Sequence, residues 1–174
     1  MQEEVTMLDA LRAEFLGSFG AVPFEVATIR ILAAILLGGL IGAEREWRRK
    51  PAGLRTHMLV SLAACLFHIV GMELAQTDFG VVGNMQVDPL RLIEATTAGV
   101  AFLAAGLIFT AGGRVRNITT GASLWLAGAI GLAAGAGHIP LAMLATGLVL
   151  ILLAVVAAIE RHHDPETGRD DNPA

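Results

Sequence analysis

Five long apolar stretches, approximately Phe24 to Ala43, His57 to Ala75, Leu92 to Thr110, Ile118 to Ala136 and Pro140 to Ile159, leave this chain few ways to fold. Each is close to the roughly 20 residues an α-helix needs to cross about 30 Å of hydrocarbon. A soluble fold would have to bury five consecutive helices that are hydrophobic all round, with nothing polar to cover them. The expectation is therefore an all-α polytopic membrane protein, a bundle of five transmembrane helices. With 55% of its 174 residues hydrophobic, the chain has no remaining stretch long enough to form a separate soluble core. Residues 1–23 read as an acidic external tail, 24–159 as the transmembrane domain and 160–174 as a short polar tail.

Positive charge orients the bundle. The first and third connections hold Arg45, Arg48, Arg49, Lys50, Arg55, Arg114 and Arg116, and the C-terminal segment holds Arg161 and Arg169. The opposite side has only Arg12, Arg30 and Arg91. Nine against three predicts that these connections and the C-terminus are cytoplasmic and the N-terminus outside, as an odd number of spans requires. The other face is acidic, with Glu25, Glu73, Asp78 and Asp88. Glu3, Glu4, Asp9 and Glu14 against Arg12 give the N-terminal segment the wrong charge for a secretory leader, so the first span is expected to be retained. Basic residues at a membrane surface point to the lipid bilayer as a partner and away from nucleic acid.

Lipid supplies no hydrophobic drive between helices, so packing must come from close backbone approach at small residues. Gly38 and Gly42 form a small-xxx-small pair, as do Ala101 and Ala105, and Gly99 and Gly106 are further residues expected to pack against a neighbouring helix. Gly121, Gly128 and Gly135 recur every seven residues, with Gly131 and Gly135 as a second pair, and predict a tight seam on the fourth span. Asp88-Pro89 signals the start of the third span, and Gly112-Gly113 reads as its C-cap. Asn117, Thr119 or Thr120 is expected to cap the fourth.

Catalytic constellations are absent. There is no GxSxG, and Gly112-Gly113-Arg114 lacks the lysine and spacing of a phosphate loop. His57 and His68 are separated by a rise of roughly 16 Å, too far to hold one metal. No catalytic residue, cofactor or metal is assigned. The single cysteine, Cys65, reads as a small packed residue. Arg30 and Glu94 are the ionisable residues within the spans, each costly there. Either they pair across helices, or Arg30 extends to the boundary while Glu94 bonds Arg91. At the basic end, Glu44 either bridges Arg55, Arg114 and Arg116 or sits in a solvated belt anchored by Trp47.

The runs Ile41-Gly42-Ala43-Glu44-Arg45-Glu46-Trp47-Arg48 and Pro51-Ala52-Gly53-Leu54-Arg55-Thr56-His57 resemble those of the MgtC/SapB family of bacterial membrane proteins. Asp88-Pro89-Leu90-Arg91, the run from Gly99 through Gly106 to Phe109, and Val115-Arg116-Asn117-Ile118-Thr119-Thr120 extend the resemblance. Ala101, Ala104 and Asn117 stand where the family usually has glycine, and Glu94 where it is usually uncharged. Some members carry an ACT-like soluble C-terminal domain, in whose place only a short tail follows the last span here.

What the resemblance implies is a non-enzymatic inner-membrane protein linked to growth under magnesium limitation and to virulence. It would regulate another membrane protein, of which the proton-translocating ATP synthase is the implied candidate, and a homo-oligomer is a further possibility. The alternative function is an ion transporter or channel, with Mg²⁺ as the candidate ion. Mg²⁺ needs several oxygen ligands, and the spans offer one carboxylate per chain, so only an oligomeric ring of Glu94 would serve.

Overall fold

A computed structural model describes residues 6–17, 19–76, 88–111 and 113–163. Five of its helices are long and apolar enough to cross a membrane. They are α2 (Phe24–Trp47), α3 (Leu54–Gln76), α4 (Pro89–Leu107), α5 (Ile118–Gly135) and α6 (Ile139–His163), with the last qualifying over Ile139–Ile159. A short helix, α1 (Met7–Gly17), precedes them and gives the N-terminal tail a structured part. It carries Met7, Leu8, Leu11 and Phe15 on its exposed surface. Asp78 and the remainder of the α3–α4 connection up to residue 87 lie outside the described residues, as do residues 164–174.

Side-chain size sorts the bundle inside out. Ala34, Gly38, Gly42, Ala64, Ala127 and Ala134 are buried, whereas Leu36, Leu40, Phe67, Phe102, Leu144 and Ile151 face outward. This is the distribution a lipid solvent demands, because large apolar side chains lose nothing by facing acyl chains while small ones let backbones touch. Helix α5, the richest in small residues, lies at the centre and packs on α2, α3, α4 and α6. Of its span 61% is buried, against 17% for α4 and 22% for α6.

Contacts at the α5 glycines divide the expected seam in two. Cβ atoms at Gly121 and Gly128 would meet Ile108 and Val100 of the α4 side at 3.0 and 2.9 Å. Those at Gly131 and Gly135 would meet backbone of α3, 2.0 Å from the Ser61 oxygen and 2.8 Å from that of Cys65. A straight helix drifts by about 20° per heptad, and two neighbours crossing its face at different levels share the glycines between them. Gly38 and Gly42 perform as expected: added Cβ atoms would lie 2.6 Å from Ser61 Cβ and 2.7 Å from Leu54 Cα.

Gly99 and Gly106 depart from their assignment to helix packing. Neither has any atom of the rest of the fold within 4 Å of an added Cβ, because no neighbouring helix covers that part of α4.

Helix boundaries follow local chemistry. The Asp88 carboxylate accepts the Leu90 N–H at 2.9 Å with Pro89 at the first helical position, so α4 starts where the sequence signalled. It ends at Leu107, short of the expected Thr110. Phe109–Ala111 (β1) pairs antiparallel with Arg114–Arg116 (β2). Phe109, Thr110 and Val115 favour extended backbone, and Gly113 takes the positive φ of the turn rather than capping a helix.

Helices α2 and α5 both close in the same cap. Arg49 and Gly137 adopt positive φ, and the following N–H groups of Lys50 and His138 return to the carbonyls of Arg45 and Ala133.

Candidate functional site

The basic end of the bundle is built where α2 turns into α3. Glu44 accepts from Arg45 Nε and Arg48 Nε, the second pair being one helical turn apart. Arg45 is buried although charged, at 3% exposure, so this ion cluster is part of the core at that end. Next along the helix, Glu46 reaches forward and accepts the Leu54 N–H at 2.8 Å, satisfying an orphan donor at the first turn of α3. Gly53 admits this contact because a Cβ there would lie 2.8 Å from the Glu46 carboxylate.

Arg55, Arg114 and Arg116 are exposed and form no ion pair with Glu44. Of the two arrangements open for Glu44, the bridge to these three arginines is replaced by bonds to the nearer Arg45 and Arg48. The reason is reach: Glu44 and Arg48 share a helix face, whereas Arg114 and Arg116 project from a separate hairpin.

A second polar contact ties this end to the central helix. His57 is fully buried, and its Nδ1–H donates to the Gly53 carbonyl at 2.8 Å. Its Nε2 lies 3.1 Å from Ser123 Oγ, which also stands 2.9 Å from the Thr120 carbonyl. The single Ser123 hydroxyl proton thus has two acceptors. Ser61 donates to the Ala34 carbonyl at 2.8 Å, so α3 is stitched to both α2 and α5 by buried hydroxyl or imidazole groups. Thr120 is buried in this cluster while Thr119 faces outward, and neither caps α5. The N-cap position is Asn117, whose side chain donates back to the Leu107 carbonyl instead, at 3.1 Å.

Two clefts open from this scaffold. One, of about 570 Å³, lies between the ends of α2 and α6 and the start of α5, lined by Arg45, Trp47, Arg48, Lys50, Thr119 and the α6 residues Leu152, Leu153, Val156 and Ala157. The other, of about 700 Å³, is an apolar groove between α3 and α4 whose walls include Leu59, Phe67, Leu92, Gly99 and Leu103.

At the opposite end, Arg30 donates to the Gly135 carbonyl at 2.7 Å. That oxygen is one of the last in α5 and lacks a partner within the helix, and a cation also suits the negative end of the helix dipole. Glu94 is exposed on α4 and Arg91 is exposed beside it. Among the described residues the ion pairs are those of Glu44, so Glu94 pairs with neither Arg30 nor Arg91. Glu73, expected only as part of an acidic surface, holds the α1–α2 connection instead. Its carboxylate accepts the N–H groups of Gly20, Ala21 and Val22 at 3.0, 3.0 and 2.9 Å.

Glu73, Glu46 and the His57–Ser123 contact were not legible as site features beforehand. Each joins residues from different segments of the chain, and no spacing within one segment encodes it. Among the described residues no three His, Cys, Asp or Glu side chains are grouped to hold a metal.

Five apolar helices around a small-residue core, with one basic end, define a multi-pass membrane protein. The chain belongs to the MgtC family, which it matches over residues 31–162. It is 38% identical to Protein MgtC of Salmonella typhimurium over 122 residues, 70% of this chain and 48% of that protein. To Protein MgtC of Brucella abortus it is 39% identical over 126 residues, 72% of this chain and 49% of that one. An uncharacterized protein of Haemophilus influenzae is 35% identical over 133 residues, covering 76% and 56%. The chain thus spans about half the length of the curated relatives it matches. No solved structure matches it.

Proposed function

We propose that this protein is a non-enzymatic regulator in the bacterial inner membrane that docks onto another membrane protein during adaptation to magnesium limitation, a role that in pathogens extends to virulence. The ATP synthase is the partner the family resemblance suggests. The observation that carries the docking reading is the α3–α4 groove. Helix α4 has only 17% of its span buried, and Gly99 and Gly106 present bare backbone on its open side. A partner helix laid there gains the close approach that membrane association depends on, together with an apolar trough already shaped by α3. The basic end faces the cytoplasm in this reading, in accord with the positive-inside rule.

The test is growth at low Mg²⁺ of cells whose own copy is replaced by Gly99→Leu, Gly106→Leu or both. A Cβ at either position meets no atom of the fold, so insertion and abundance are expected to stay normal while complementation is lost. Full complementation by the double variant would remove the groove from the mechanism.

A further inference from the structure

We propose that the cleft between the ends of α2 and α6 is a binding site for one anionic phospholipid, with its phosphate on Arg45, Arg48 and Lys50 and an acyl chain against Leu152, Leu153 and Val156. The cleft has the two halves such a molecule requires. Its cationic wall is formed by Arg45, Arg48 and Lys50, and its apolar wall by α6. Glu44 is not among the residues lining it. Counting that carboxylate against the three cations still leaves two positive charges unmatched at the cleft.

Arg45 carries the argument further than a surface belt would. Its side chain is 4% exposed, its Nε is committed to Glu44, and the residue nonetheless lines the cleft. A guanidinium presents five N–H donors in a planar fork, and two oxygens of a phosphate can accept two of them at once. Thr119 adds a hydroxyl on the α5 side, and Trp47, 84% exposed, supplies the amphipathic ring favoured at headgroup level. The α6 residues that line the cleft, ending at Ala157, lie near the end of the span at Ile159, which sets the cleft at the membrane boundary. An aqueous anion would find no use for the aliphatic wall, and a zwitterionic lipid would bring a positive charge of its own against the cations.

The test reads Trp47 fluorescence in the full chain carrying Trp125→Phe, which leaves Trp47 as its one tryptophan. The purified protein in detergent micelles is titrated with phosphatidylglycerol or phosphatidylcholine bearing brominated acyl chains, which quench on contact. The expected result is stronger quenching by the anionic lipid, with the preference falling about fivefold in Lys50→Gln and again in Arg48→Gln. Lys50 is exposed, so its variant cannot act by unfolding the protein. Arg116→Gln, on the hairpin outside the cleft, should leave the preference unchanged. Equal quenching by both lipids, an effect of Arg116→Gln as large as that of Lys50→Gln, or displacement by free inorganic phosphate would each overturn the assignment.

Discussion

Gly131 of α5 and Ser61 of α3 make the closest approach of two helices at any described glycine: a Cβ on Gly131 would lie 2.0 Å from the Ser61 carbonyl oxygen. No side-chain rotation relieves such a clash, because the opposing atom is backbone. Gly131→Ala should therefore force α3 and α5 apart and destabilise the bundle by about 3 kcal/mol, the upper range for overpacking. Gly99→Ala, which meets nothing, should stay within about 1 kcal/mol of the parent. Unfolding in mixed detergent micelles compares the two directly, and equal losses would deny the α3–α5 contact.

Arginine identity should matter inside the ion cluster and not outside it. Arg45 is buried against Glu44, whereas Arg55 is exposed. Arg45→Gln leaves Glu44 with Arg48 alone and should cost about 2 kcal/mol, below the full penalty for stranding a buried charge. Arg55→Lys and Arg116→Lys should insert and complement like the parent, since each offers only positive charge to the boundary. Lost complementation in either lysine variant would show a geometric role for that arginine.

Asn117 stands at φ 64°, where a β-branched residue is strained. A left-handed backbone favours glycine or asparagine over any residue branched at Cβ. Asn117→Gly should be close to neutral, losing only the bond to the Leu107 carbonyl. Asn117→Val should cost about 2 kcal/mol. Thermal unfolding of both variants checks the ordering.

How much of this was readable in advance depended on where the information lay. Span number and approximate position follow from runs of apolar residues, and the start of α4 from Asp88-Pro89, because such signals are local. The end of α4 was misread because Phe109 and Thr110 continue the apolar run while their backbone turns into a hairpin. Gly99 and Gly128 look alike in sequence, yet one faces open space and the other meets Val100 at 2.9 Å. Arg30 was expected either to pair with Glu94 or to extend to the boundary, and it takes a helix-end carbonyl, a group that every helix offers and no composition reveals.

Glu94 separates regulation from conduction. It is exposed on α4, and no group of three acidic, His or Cys side chains exists among the described residues to strip water from Mg²⁺. Pure protein in proteoliposomes loaded with a Mg²⁺ indicator should pass no more ion than empty vesicles. Flux abolished by Glu94→Ala would establish the oligomeric channel instead.

Docking at the α3–α4 groove is tested most directly by a photoreactive residue placed at Leu103, which lines it, and in a second strain at Leu36, an exposed position on α2 away from it. Both are irradiated in living cells at low Mg²⁺ and probed for adducts, beginning with the membrane subunits of the ATP synthase. The account predicts a discrete adduct with a second membrane protein from position 103, absent from position 36 and abolished by Gly99→Leu with Gly106→Leu. Lipid adducts alone from both positions, in cells where the protein still supports growth, would contradict it.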